Sequence, residues 1–224
     1  MEVGSITGEV CAGNPKPRLW RLKKSKSLVI YYGLKNDGCE AIAQKLNNKK
    51  FTIPIGISIA KTNCQETVGT EKAILDYFKA YKAFTNIGDY FTLNISCPNA
   101  FGSQPFTDNL KLNALLEKIM SIPKNKPIFI KLSPDLSKKE VDEIINTAGK
   151  WKIDGFICTN LTKNRANKNI IDENVPKVGG FSGKVLNNLT DKLIQYVYKK
   201  TKGKFVIIGV GGVSSAVDAY KKIK

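Results

Sequence analysis

Five runs rich in β-branched and aromatic residues, at positions 53–59, 90–95, 127–132, 153–158 and 205–210, alternate with five amphipathic stretches at 37–46, 66–84, 109–120, 137–151 and 186–201. Strand, helix and strand in succession join parallel strands by right-handed crossovers. The runs are apolar throughout, as expected of a sheet covered on both faces. A further short strand is expected at 3–6, and a last helix, capped by Ser214 or Ser215, ends at Ile223. Ser137 and Glu140 form a capping-box pattern, in which hydroxyl and carboxylate satisfy free amides at a helix start. Two α/β architectures fit, a doubly wound sheet and a (β/α)8 barrel. Both gather function at the carboxyl ends of the strands. The unusual residues lie there, at 94–102, 131–135, 159–160 and 209–212. No repeat, linker or low-complexity tract divides residues 1–224, which read as one domain. The segment 163–180 has no periodicity and reads as a functional lid.

Composition narrows the chemistry. The chain has no histidine. That excludes a Ser-His-Asp triad, a Cys-His dyad and His-ligated zinc. Cys11, Cys39, Cys64, Cys97 and Cys158 include no CxxC pair, and no metal site is expected. An odd cysteine count behind an N-terminus without a signal-peptide core suggests a reduced, cytoplasmic chain. No apolar run approaches the roughly 18 residues of a membrane span. The formal charge is +17, but all except three of the 36 cationic residues are lysines, scattered along the chain. Base readout and bidentate phosphate gripping favour arginine. The charge therefore reads as a solvated surface, not as a nucleic-acid interface.

The segment Asn94-Ile-Ser-Cys97-Pro98-Asn99-Ala-Phe-Gly102 places two carboxamides and a thiol on one turn after a strand. Each carboxamide offers a donor and an acceptor, suited to the alternating N–H and C=O edge of a cyclic amide. Pro98 locks the turn. A cysteine on its own is more often a small buried hydrophobe. Between these neighbours Cys97 reads as a reactive thiol.

This loop resembles the active-site loop of dihydroorotate dehydrogenases, the FMN enzymes of pyrimidine biosynthesis. The resemblance extends along nearly the whole chain. Gly4-Ser-Ile-Thr7 with Gly13-Asn-Pro-Lys-Pro-Arg-Leu-Trp-Arg-Leu22 resembles the family's second-strand segment. Lys131-Leu-Ser-Pro-Asp-Leu136, Asp154-Gly155, Thr159-Asn160, Gly179-Gly-Phe-Ser-Gly-Lys184 and Ile207-Ile-Gly-Val-Gly-Gly-Val-Ser-Ser215 follow in the family's order. The resemblance implies a (β/α)8 TIM barrel, here incomplete, with the second to seventh strand units. It implies oxidation of dihydroorotate to orotate. Cys97 stands at the position of the base, Asn94, Asn99 and Asn160 at positions that hold the pyrimidine, and Ser5, Asn94, Lys131, Thr159, Gly183, Gly211 and Gly212 at positions that contact FMN. The glycines before the last helix would offer bare amides, helped by the helix dipole, to the FMN phosphate.

The chain also departs from the family pattern. Ile30 stands where an asparagine touches orotate, Ser58 where many members carry a flavin-contacting asparagine, and Leu161 where threonine is usual. A cysteine base is typical of the soluble branch, whereas the Arg-Leu-Trp-Arg and Gly-Gly-Phe-Ser-Gly-Lys segments resemble the quinone-linked branch. The electron acceptor stays open among quinone, fumarate and NAD. The location is cytoplasmic or peripheral at the cytoplasmic membrane, and a homodimer is compatible. The family's Ala-x-Gly-x-x-Lys strand and its eighth strand have no counterpart in residues 1–224. Two other readings remain at this point: a tRNA dihydrouridine synthase, whose flavin barrel also uses a Cys-Pro loop, and a shortened non-catalytic paralogue.

Overall fold

The computed structural model describes residues 1–102 and 105–224. In chain order its elements are β1 (Glu2–Ile6), β2 (Leu19–Leu22), β3 (Ser27–Ile30), α1 (Gly38–Leu46), β4 (Gly56–Ile59), α2 (Thr70–Ala83), β5 (Tyr90–Leu93), α3 (Asn109–Met120), β6 (Ile128–Leu132), α4 (Lys138–Lys150), β7 (Gly155–Cys158), β8 (Gly180–Gly183), α5 (Asn187–Thr201), β9 (Val206–Gly209) and α6 (Ala216–Ile223). Six strands form a parallel sheet in the order β1-β4-β5-β6-β7-β9. Each strand lies beside its predecessor in that series. A doubly wound sheet would reverse its order at a switch point, so the topology is that of the barrel. Among the described residues β1 and β9 do not pair with each other, and the six strands make an arc.

The strand register sorts the two faces. One row, Ile59, Leu93, Ile130, Phe156 and Ile207, runs across five strands and packs against the helices. Tyr77 and Tyr81 of α2, Leu112 and Leu115 of α3 and Ile144 of α4 close that core. The alternate row holds Ser58, Thr92 and Phe129, with Lys131 one step on. Helix-facing positions are thus apolar, while the concave face carries polar groups. Glu2 Oε1 on β1 lies 3.4 Å from Lys131 Nζ on β6, three strands away. In a flat sheet three spacings of about 4.8 Å would hold them apart. Their contact requires the sheet to curl.

The expected elements form with trimmed ends. The 66–84 stretch is broken at Gly69, which is extended (φ −66°, ψ 135°) and separates a short 3-10 turn (Glu66–Val68) from α2. The Ser137–Glu140 capping box has both of its reciprocal hydrogen bonds, and the Ser215 hydroxyl accepts from Asp218 N–H at the start of α6. Among the described residues no helix is long and apolar enough to cross a membrane.

A second sheet, antiparallel and ordered β2-β3-β8, has no counterpart in the expected elements. Its strands have four residues each, the β2–β3 turn is a polar Lys23-Lys-Ser-Lys26, and β8 follows β3 by some 150 positions. Periodicity cannot reveal such a pairing. Leu22, Val29, Phe181 and Val185 form its own small core. The segment expected to be structureless over 163–180 therefore ends one residue early, at the first residue of β8, and the flavin-loop segment 179–184 is largely strand.

Phe91 is fully buried and packs against the Tyr81 ring at 4.5 Å. Phe91→Ala should lower unfolding free energy by about 3–5 kcal/mol, read from urea denaturation followed by circular dichroism.

Candidate active site

The carboxyl ends of the parallel strands carry a connected polar cluster. Asn94, just past β5, donates from Nδ2 to Ser5 Oγ at 2.7 Å, and Ser5 Oγ lies 2.8 Å from Ser58 Oγ. Asn160, just past β7, donates from Nδ2 to Asn94 Oδ1 at 3.0 Å and to Ser96 Oγ at 3.1 Å. Tyr77 OH on α2 donates to the Asn94 carbonyl at 2.8 Å. Residues from four strand units are thereby joined on one rim. The backbone fixes both asparagines: Asn94 N–H donates to Ile59 O and Asn160 N–H to Leu132 O.

Cys97 is partly buried in the loop after β5. It lines a narrow cavity with Lys61, Tyr77, Asn94 and Phe106. Burial pushes its thiol pKa up; the Asn99 N–H and the cations Lys163, Lys61 and Lys131 act in the opposite direction. The thiol is thus a poor acid with three positive charges in its field. Cys158, enclosed at the end of β7, is pushed up to about 12 by burial and is an inert core residue.

Asn99 is drawn away from the Asn94 cluster. Its Nδ2 donates to Ile30 O at the end of β3, at 2.7 Å, and its carbonyl accepts from Asn14 Nδ2 at 3.2 Å. Ile30 therefore serves the loop through its backbone oxygen. Asn63 extends this seam, donating to Asn14 Oδ1 and Gly33 O and accepting from Phe101 N–H.

Lys131 pairs with Glu2, whose second carboxylate oxygen accepts from Thr92 Oγ1 at 2.6 Å. Thr159 Oγ1 lies 3.1 Å from Thr190 Oγ1 on α5. Gly183, Gly211 and Gly212 have φ of 95°, 120° and 71°, values that a side chain would oppose. Asn187 at the start of α5 donates to Gly212 O at 2.9 Å, which ties the 183–187 turn to the 211–212 turn. Among the described residues the N–H groups of Gly211 and Gly212 take no part in the fold's hydrogen bonds. This cradle fits a phosphate. The α6 start contributes less than expected, because the Asp218 carboxylate already accepts from Ser214 N–H and from both the Ser214 and Ser215 hydroxyls. Those bonds hold its pKa far below the usual carboxylate range. The helix end is filled by the chain's own anion.

The segment 163–179 crosses the rim as a strap latched at several points. Arg165 donates to Gly179 O at 2.9 Å and lies over the Phe181 ring. Asp135 accepts from Lys163 N–H and from Thr162 Oγ1. Asp172 accepts from Ser25 N–H at 2.8 Å, from Ser25 Oγ at 2.5 Å and from Lys24 N–H at 3.1 Å. The expected lid is therefore a tethered cover.

Two residues escaped the sequence reading. Lys61, two places past β4, is 3% exposed, and its Nζ donates to Phe101 O at 2.6 Å. Asp76 on α2 is buried and accepts from Thr62 N–H, Thr62 Oγ1 and Gly8 N–H; burial outweighs these bonds and raises its pKa. The signal for Lys61 was present: like Lys131, it is a lysine at the carboxyl end of an apolar run.

The family model described as Dihydroorotate dehydrogenase matches residues 1–224. The chain is 35% identical over 223 residues to "Dihydroorotate dehydrogenase (quinone)" of Haloarcula marismortui, covering 100% of this chain and 62% of the relative. It is 33% identical to the protein of the same name from Gloeobacter violaceus, covering 99% and 62%. The solved ligand-free DHODH of Eimeria tenella superposes with a TM-score of 0.89 at 28% identity, covering 99% of this chain and 68% of that chain. The chain thus spans 62% of the length of these curated relatives.

Ser25 and Lys24 lower the Asp172 pKa, so its latch is complete above the ordinary carboxylate range and is lost as pH falls through the lowered value. Asp172→Ala should speed tryptic cleavage at Arg165 and Lys168 several-fold at neutral pH, while the global unfolding midpoint stays in place. Mass spectrometry of timed digests checks this.

Proposed function

The chain belongs to the dihydroorotate dehydrogenase family, and from that premise we propose that it oxidises dihydroorotate to orotate on an FMN held at the carboxyl rim of the parallel strands. Oxidation takes a proton from one ring carbon and a hydride from the next. Cys97 Sγ is the proton acceptor in this reading. FMN, when bound, supplies the hydride acceptor.

The observation that carries the proposal is the convergence of Cys97 with the Asn94–Ser96–Asn160 cluster on one rim. Asn94 and Asn160 hold each other in fixed orientations, so their remaining N–H and lone-pair positions are set before a pyrimidine amide arrives. Asn99, its Nδ2 anchored on Ile30 O, serves the substrate site by holding the loop that carries Cys97. Ser5, Thr159 and Lys131 line the flavin side, and the Gly183, Gly211 and Gly212 backbone receives the phosphate. Lys131 brings a cation to a ring that becomes anionic on reduction. Its link to Glu2 keeps it aimed across the concave face.

The acceptor in this proposal is a quinone. The relatives named as quinone enzymes and the Arg18-Leu-Trp-Arg21 segment support it over fumarate or NAD. A lipid-soluble acceptor would bring the protein to a membrane surface.

Because burial raises the Cys97 pKa, the thiolate needed as base accumulates at alkaline pH. Bleaching of bound flavin by dihydroorotate should therefore accelerate as pH rises. Cys97→Ala should slow that bleaching by roughly 10²–10⁴-fold, the usual contribution of a general base, while flavin stays bound. Anaerobic stopped-flow spectroscopy on the chain loaded with FMN measures both. An unchanged bleaching rate in Cys97→Ala would exclude Cys97 as the base.

A further inference from the structure

A buried ammonium normally has a carboxylate beside it. Lys61 does not. It is 3% exposed, and among the described residues no carboxylate oxygen comes within ion-pair distance of its Nζ. Its partners are neutral: Phe101 O at 2.6 Å and Thr67 Oγ1 at 3.5 Å. The Asp76 carboxylate nearby is turned to Thr62 and Gly8. An isolated charge in such a place is costly, and burial depresses the Lys61 pKa accordingly. The cost needs a compensating gain, and the cavity that Lys61 shares with Cys97 supplies one.

We propose that Lys61 is the positioning residue of Cys97, holding the loop after β5 through the Phe101 carbonyl and supplying the positive charge that stabilises the thiolate. This rests on the reading of Cys97 as the base. The groups facing the thiol come from every side. Lys61 follows β4, Lys131 ends β6, Lys163 follows β7 and Tyr77 lies on α2, while Asp76 on α2 and Cys64 before it act on Lys61. Among the cations, Lys131 is matched by Glu2. Lys163 is exposed, so water and salt screen it. Lys61 is the one both buried and without a carboxylate at ion-pair distance, so water and salt screen it least.

The test follows alkylation of Cys97 by iodoacetamide against pH in the full chain, with peptide mass spectrometry separating Cys97 from the other cysteines. Lys61→Arg keeps the charge and should keep the midpoint. Lys61→Gln keeps a donor for Phe101 O but no charge. Its midpoint should rise by about one pH unit, about tenfold slower alkylation at a given pH below it. An unchanged midpoint in Lys61→Gln, a fall, or an equal rise in Lys61→Arg would overturn the proposal. A reciprocal measurement covers the case in which Lys61→Gln does not fold. In Cys97→Ser the Lys61 ammonium, followed by NMR of labelled lysine, should titrate at lower pH than in the unaltered chain; an identical titration overturns the proposal. Neither readout uses dihydroorotate or flavin. A Lys61 effect in a chain that fails to oxidise dihydroorotate refutes the substrate reading alone. Oxidation with no Lys61 effect refutes the role of Lys61 alone.

Discussion

Each strand of the parallel sheet lies beside the strand that precedes it in the series, and the remaining architecture depends on that constraint. Sequential order with right-handed crossovers sends every helix to one face. The other face must curl inward. Ile59, Leu93, Ile130 and Phe156 supply the apolar side of this division, and Ser58, Thr92 and Lys131 the polar side. The Glu2–Lys131 contact is the direct mark of the curl, since it joins strands that are not neighbours.

The same order puts all six strand ends on one rim. Residues near the ends of β1 and β4 and just past β5 and β7 are then close in space although up to some 150 positions apart in the chain. Asn94 and Asn160 meet there: Asn160 Nδ2 donates to Asn94 Oδ1, Asn94 Nδ2 to Ser5 Oγ, and Leu161 N–H to Asn160 Oδ1. This chain of bonds lets polar groups sit half-buried without the penalty of an unpaired donor. No buried side-chain nitrogen or oxygen among the described residues lacks a partner. The rim is ordered by its own hydrogen bonds, with the β2-β3-β8 sheet and the 163–179 strap fastened over it through Asn99, Arg165 and Asp172.

The electrostatics follow from burial. Cys97 is shielded enough for its thiol to resist ionisation, while cations on three strand ends oppose that resistance. At the far end of the rim the balance has another form. Asp218 neutralises the start of α6 from within, and the Gly211 and Gly212 N–H groups before it take no part in the fold's hydrogen bonds among the described residues.

Local patterns in the sequence determined much of this. The apolar runs named the parallel strands, the Ser137–Glu140 pair named a helix start, and the 94–102 segment named the loop that holds Cys97. Each is read within a few residues, because periodicity, capping and turn chemistry are short-range effects. Tertiary structure alone decided the rest. The β2-β3-β8 sheet joins short, polar segments from distant parts of the chain, and no local signal marks their pairing. The end of an apolar run marks the position of Lys61, but only the packing of α2 and the 94–102 loop around it makes Lys61 a buried charge. Asn99 and Asn160 looked equivalent as carboxamides, yet one is anchored on Ile30 and the other on Asn94. Burial and hydrogen-bond choice are settled by what the fold brings alongside, and that is a long-range property.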